Sequence, residues 1–349
     1  MTLKTLAAAG ALSLMASAAA ACGFQNDVPV KSLSAGFEAW KAMTDAMAEC
    51  GSVEAELDQE FRLKQPAAFA ADPSLYSIGG VSNGTLVPLL NEGTIRPLDD
   101  LVAAYGAQLT PNQLIKIDGR TMAVAMMVNA QHLMYREDVF ADLGLAVPTT
   151  YDEMLAAAEA IQAAGVVDYP IGATLKTGWN LAQDFVNMFL GYGGTFFADG
   201  AQPNIATPEG LAALEMMKAL TAYMDPEYLV SDSTYVQQQF QQGKIAMANL
   251  WASRAAAMDD AGESQVVGKV KMAGAPLGGA GIPATTIWWD GIVIARNISD
   301  EAAEAAFRVA MEGMDREMVE ANNDAAVWLI DGYTPGPLAA GAAASAAAG

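Results

Sequence analysis

The sequence predicts an α/β protein of two domains, and three observations carry that prediction. The chain has 349 residues, more than one ordinary core organises at roughly 100–200 residues per domain. Hydrophobic residues make up 53% of it, enough for two cores even though alanine supplies much of the share. Segments with a period of two alternate with segments of helical period, the pattern of βαβ units around a mainly parallel sheet.

Residues 1–21 read as a signal peptide outside the fold. Lys4 gives a minimal positive start, 6–21 is an apolar run too short for a comfortable membrane span, and 18–21 supplies small residues for cleavage. Residues 28–34 then read as a strand, 37–49 as a helix and 53–61 as a second strand. A helix over 66–71, a strand over 75–81 and a helix opening at 86–90 continue the alternation. Gly79-Gly80-Val81-Ser82-Asn83-Gly84 falls at a strand C-terminus, where open α/β sheets bind ligands. Asp118-Gly119 predicts a hairpin turn before 122–128, a buried strand crossing out of the first domain.

Beyond that strand the helices are well punctuated. Thr150 and Glu153 form a capping box ahead of Met154, Leu155, Ala158 and Ile161 on one face. Thr207-Pro208 places a cap residue before a first-turn proline, ahead of an expected buried stripe of Leu211, Leu214 and Met217. Val236 and Phe240 stand four apart in a glutamine-rich helix stopped by Gly243, and the glutamines read as a solvated face. Ser299 caps a helix whose buried stripe is Ala303, Ala306, Phe307, Ala310 and Met311. Trp328 reads as core. Residues 339–349 are almost all Ala and Gly, with no side chains to bury.

Two blocks carry a family resemblance. His132-Leu133-Met134-Tyr135-Arg136-Glu137-Asp138, then Leu143-Gly144-Leu145, then Pro148-Thr149-Thr150-Tyr151-Asp152-Glu153 resemble a hinge-crossing strand, a short helix and the start of a long helix. Phe240-Gln241-Gln242-Gly243-Lys244-Ile245-Ala246-Met247, with Trp251 following, resembles a second segment in the same order. Both are similar to motifs of the maltose-binding-like branch of bacterial extracellular solute-binding proteins. The resemblance covers about Val28 to about Gly332 and departs from the family pattern at the C-terminus, where relatives continue through further helices; the expectation is a truncated second lobe.

The resemblance implies a two-lobed type II periplasmic binding fold with discontinuous lobes joined by hinge crossings. The first lobe is expected over 22–127 plus 291–326 and the second over 128–290 plus 327–349, with crossings near Asn129 and near Trp288-Trp289-Asp290. Such a protein closes on a small-molecule ligand and presents it to the transmembrane subunits of an ABC importer. It acts as a monomer in the periplasm and needs no cofactor.

Charge and cysteine narrow the setting. The net charge of −22 comes from 40 acidic against 18 basic residues, so nucleic acid and anionic lipid surfaces would repel the chain. Cys22 admits two readings. It could be lipidated after cleavage, although Ala19 stands where that pattern prefers Leu, or it could pair with Cys50 in an oxidising compartment. Cys22 precedes the first strand and Cys50 ends the helix running back beside it, so the two ends should meet.

Catalytic signatures are sparse. His132, inside a predicted strand, is the only histidine, so no histidine metal pair exists, and it reads as packed. There is no G-x-S-x-G elbow, and neither cysteine has a nucleophile signature. Gly279-Ala280-Gly281-Ile282-Pro283-Ala284 matches G-x-G-x-x-A, but a strand over 287–295 follows where a dinucleotide site needs a helix, so it reads as a surface loop. Paired carboxylates leave a secreted carbohydrate-active enzyme open as the alternative, since sequence does not show their separation. A chemosensory binding component is a third reading.

Trp179, Trp251, Trp288 and Trp289 lie beside Gly, Asn, Ser or Asp rather than in helical stripes. Indoles interleaved with polar groups suit a carbohydrate or polyol, whose C–H faces stack and whose hydroxyls need partners. Trp251 and Trp179 are the expected stacking platforms. Asn129, Asn180, Asp290, Ser82 and Asn83 are the expected hydrogen-bonding groups, with Trp288 and Trp289 at the second crossing and Ser34, Phe37 and Trp40 at the rim.

Overall fold

The computed structural model describes residues 22–329; the signal-peptide reading of 1–21 and the alanine-rich 339–349 lie outside the described residues. The first part of the chain runs β1 (Asn26–Ser34), α1 (Glu38–Ala48), β2 (Gly51–Leu57), α2 (Phe61–Ala70), β3 (Ile78–Ser82), α3 (Asn83–Asn91), α4 (Asp99–Tyr105), β4 (Leu114–Ile117) and β5 (Arg120–Asn129). The second runs β6 (Gln131–Arg136), α5 (Glu137–Asp142), α6 (Tyr151–Ala164), β7 (Tyr169–Gly172), α7 (Trp179–Gly191), α8 (Pro208–Leu220), α9 (Ser233–Gln241), β8 (Ile245–Trp251), α10 (Ala255–Met258) and β9 (Val270–Ala273). The chain then returns through β10 (Trp288–Ile294), α11 (Asp300–Glu312), α12 (Arg316–Ala321) and β11 (Val327–Trp328).

Two sheets organise these elements. The first has the order β11-β5-β10-β3-β1-β2 with β4 paired to β5, and the second has the order β7-β8-β6-β9. The chain leaves the first sheet at Asn129 and enters the second at Gln131. It re-enters the first at Trp288, which pairs with Asn129, so the two crossings lie side by side. Both sheets are mixed, which corrects the expectation of mainly parallel pairing. β1 is parallel to β2 and β3, whereas β5 joins β4 through a hairpin and β10 returns from the other lobe, so both run antiparallel to their neighbours.

Local signals hold where the chemistry is local. Asp118 and Gly119 have φ of 50° and 78°, the positive pair a two-residue hairpin turn demands. The Thr150–Glu153 capping box is formed, and Thr207 and Ser299 accept from Gly210 N and Ala302 N. The α11 stripe Ala303, Ala306, Phe307, Ala310 and Met311 is buried in the first core. His132 and Trp328 are packed inside. Cys22 and Cys50 are joined by a disulfide that ties the start of β1 to the end of the α1 turn.

Four further expectations need correction. The strand expected over 53–61 stops at Leu57, because Asp58 accepts from Glu60 N through its side chain and from Phe61 N through its carbonyl, an Asx turn that starts α2 early. In α8, Leu211 and Leu214 are 60% and 53% exposed, and the buried face is Gly210, Ala213, Met216, Met217 and Leu220. Small residues at 210 and 213 permit a close approach that leucines would block, so packing rotates the helix away from its most hydrophobic side chains. The glutamine face of α9 is only partly solvated: Gln239 and Gln241 are buried and donate to Asp225 and to Ala257 O. Finally, Val327 and Trp328 pair with Val128 and Met127 in the first sheet rather than joining the second lobe; residues 330–349 lie outside the described residues.

Candidate binding cleft between the lobes

The two side-by-side crossings leave the C-terminal end of β3, the β2–α2 turn and the end of β8 facing one another. A narrow cleft with about 80 Å³ of free space, partly open to solvent, lies there. From the first lobe it is lined by Phe37, Gln59, Glu60, Phe61, Arg62, Ser82, Thr85 and Asp290. From the second it is lined by Trp179, Asn180, Asp232, Ser233, Trp251, Ser253 and Arg254, with Asn129 and Trp288 at the crossings.

Three indoles form one wall. Trp179 opens α7, Trp251 ends β8 and Trp288 opens β10. The Trp179 and Trp251 rings are nearly parallel with centroids 6.2 Å apart. An intervening ring needs about 3.5–4 Å on each side, so this pair is not a sandwich that admits a sugar. Trp288 stands edge-on to both, 5.5 Å from Trp179 and 6.2 Å from Trp251, and the three make a corner. The guanidinium of Arg62 lies 4.5 Å over the Trp179 ring.

Polar groups cross between the lobes. Lys176 pairs with Glu60 at 2.8 Å and with Asp232 at 3.4 Å, and Gln59 donates to Thr234. Asn129 Nδ2 donates to Ser253 Oγ at 2.9 Å, and its Oδ1 accepts from Ser253 N, so this side chain is committed to binding the end of β8 to the crossing. Arg254 donates to Thr234 and Gln237 beside the Phe37 ring. Burial pulls its pKa down to about 10 and lowers that of Arg62 as well. Arg62 Nε is buried without a hydrogen-bond partner. Burial pushes the Asp290 carboxyl up to about 7, opposed by a hydrogen bond from Trp40 and by the charges of Arg254 and Arg62.

Of the residues expected at the site, Trp251, Trp179, Trp288, Asn180, Asn129, Asp290, Ser82 and Phe37 line the cleft. The others do not. Trp40 is 2% exposed on the inward face of α1, beneath the cleft, where it hydrogen-bonds to Asp290. Ser34 is buried at the end of β1. Asn83 donates to Ile287 O and accepts from Trp289 N, holding the returning strand rather than a ligand. Trp289 points the other way along β10, as strand alternation requires, into the cluster around Phe69, Val81 and Leu89. Gln59 and Glu60 were missed because the strand was expected to run through them, and Arg62 because it fell between that strand and the helix expected from 66; the Asp58 turn was the signal. Ser253 and Arg254, just past Trp251, carried no sequence signal of their own.

Among the described residues no cluster of His, Cys, Asp and Glu could hold a metal ion, and no helix is long and apolar enough to cross a membrane.

Comparison with known proteins agrees with this architecture. A probable ABC transporter-binding protein of Deinococcus radiodurans is 26% identical over 265 residues, 72% of this chain and 61% of that protein. The chain thus spans about three fifths of the length of that curated relative. A solute-binding protein of Agrobacterium radiobacter in complex with ribitol superposes with a TM-score of 0.76 at 24% identity, over 88% of this chain and 81% of that one. One from Agrobacterium vitis with bound D-mannitol gives 0.74 at 22%, over 86% and 76%, and the maltose-bound protein of T. maritima gives 0.73 at 20%, over 86% and 81%. These likenesses establish the fold, the two-lobed type II periplasmic binding fold. Residues 69–311 match the family described as bacterial extracellular solute-binding protein, and the chain belongs to that family.

Proposed function

We propose that this protein is the substrate-binding component of an ABC importer, capturing a carbohydrate or polyol between its lobes and delivering it to the transmembrane subunits. The observation that carries this reading is the corner of three indoles set beside Arg62, Asn180, Asp232, Arg254 and Asp290. Indole surfaces suit the C–H faces of such ligands, and the surrounding donors and acceptors suit their hydroxyls. Ligand contacts drawn from both lobes favour the closed form, because only that form makes both sets. Bound ribitol, D-mannitol and maltose in similar structures support the ligand class. The family and the leader-like 1–21 support export to the periplasm, and the Cys22–Cys50 disulfide supports the paired reading of Cys22.

One observation favours a second reading. Asp290, with its pKa near 7 in an indole-lined cleft, has the ionisation of a general acid in a glycosidase. A single experiment separates the two: small-angle scattering with and without ribitol, D-mannitol and maltose, followed by chromatography of the recovered ligand. Compaction with ligand returned unchanged is expected. No compaction and no thermal stabilisation by any of them sinks the binder, and a cleaved ligand establishes the enzyme.

A further inference from the structure

Trp288 and Asp184 stand at the two ends of a hydrogen-bonded relay in which every member donates in the same direction. Trp288 Nε1 donates to Thr286 Oγ1 at 2.9 Å, Thr286 Oγ1 to Asn187 Oδ1 at 2.9 Å, Asn187 Nδ2 to Gln131 Oε1 at 2.5 Å, and Gln131 Nε2 to Asp184 Oδ1 at 3.1 Å. Gln183 Nε2 supports the middle, donating to both Asn187 Oδ1 and Thr286 Oγ1 at 2.9 Å. The other carboxylate oxygen accepts from Thr174 N at 3.2 Å. Gln131, Gln183 and Asn187 are each at least 95% buried, so none can turn to water for a substitute partner.

The direction has a cause. An amide side chain donates at one end and accepts at the other, whereas an ionised carboxylate only accepts. Asp184 therefore turns the NH₂ of Gln131 toward itself, which leaves Oε1 facing Asn187. That in turn aims the Asn187 NH₂ at Gln131 and its Oδ1 at Thr286, and leaves a Thr286 lone pair for the indole. The relay begins in the second lobe's core and ends on the cleft wall.

We propose that Asp184 is a positioning residue for the cleft: its carboxylate, acting through Gln131, Asn187 and Thr286, fixes the orientation of the Trp288 indole. One consequence is that the Trp288 N–H is already used, so this indole offers a ligand its ring and not a hydrogen bond. A second is that protonating Asp184 gives it a donor and removes the polarity that orders the chain. Burial pushes Asp184 up to about 7, so the ordered form gains as pH rises through neutrality.

The groups around the relay are few. The internal cavity it borders is lined by Gln131, Tyr151, Asn187 and Asn249 among others, and holds no Lys or Arg. Tyr151, from α6, is pushed up by burial and by Asp184 itself and stays neutral. His132 follows Gln131 on β6, and Asp290, two residues from Trp288 on β10, is the other carboxyl that burial pushes up to about 7. The meaning for ligand binding rests on the proposed function, but the relay is tested without any ligand, so the two can fail separately.

The test is the indole N–H spectrum of ¹⁵N-tryptophan-labelled full chain, recorded from about pH 5.5 to about pH 8.5, the span around a titration near 7. Loss of one signal in Trp288→Phe assigns it. The Trp288 signal is expected to shift with a midpoint near 7 in the wild type, and to stop shifting in Asp184→Asn and in Thr286→Val. Thr286→Val cuts the relay at a half-buried position and covers the case in which Asp184→Asn does not fold. The Trp40 signal, which reports Asp290, is expected to titrate in both variants. A Trp288 signal that ignores pH in the wild type overturns the proposal, and so does one that shifts equally in Asp184→Asn, which would assign the effect to another group such as Asp290.

Discussion

Arg62 of the first lobe lies with its guanidinium 4.5 Å over the ring of Trp179 in the second. This contact joins the lobes, along with the Lys176–Glu60 ion pair. It also covers an indole of the proposed binding wall, so the same side chain holds the cleft together and shields part of that wall.

Removing it should loosen the closed form. A cation–π contact is worth about 0.5–2 kcal/mol, enough to change an open-to-closed ratio about two- to thirty-fold. Arg62→Ala is expected to enlarge the radius of gyration of the ligand-free protein with little change in Tm. An unchanged scattering curve would show that the contact does not set the equilibrium.

Trp179 is the better test of stacking than Trp251. Trp251 is 7% exposed, so its truncation should cost roughly 3–5 kcal/mol of stability as a core deletion and confuse folding with binding. Trp179 is half-buried, and Trp179→Ala is expected to weaken binding of the ligand found by thermal-shift screening about tenfold, near 1.4 kcal/mol. Calorimetry checks this, and equal affinities would remove Trp179 from the site.

Asp290 gives a pH dependence with a defined sign. Its folded pKa of about 7 lies above the ordinary aspartate value of 3.8, so the folded state favours the proton. The stability linked to it is complete below the unfolded pKa and is lost as pH rises through about 7. Asp290→Asn keeps an acceptor for Trp40 and cannot ionise. Its Tm relative to wild type should therefore be higher at pH 8 than at pH 5, and a difference that is flat or reversed between those pH values contradicts the assignment.

The disulfide closes a loop with a sequence separation of 28, which in the chain-entropy treatment stabilises by roughly 3–4 kcal/mol. Cys50→Ser should lower the unfolding midpoint accordingly, and reductant should lower that of the wild type but not of the variant. Mass spectrometry of the exported protein reports the pairing directly; two free thiols would refute it.

The sequence by itself determined what depends on neighbours along the chain. The Asp118-Gly119 turn, the Thr150–Glu153 cap, the alternation of strand and helix and the α11 stripe are each set within a few residues. Motif order was legible for the same reason, and it located both crossings, near Asn129 and near Trp288. Only the tertiary structure decided which face of an element meets what. The leucines of α8 point outward because Gly210 and Ala213 allow closer packing than they do, and Trp40 lies under the cleft rather than at its rim because α1 turns it inward. Gln59, Glu60 and Arg62 reach Thr234, Lys176 and Trp179 across more than a hundred residues of chain. Burial, charge and distance are properties of that assembly, so the pKa of Asp290 and the direction of the Asp184 relay could be read only after the chain had folded.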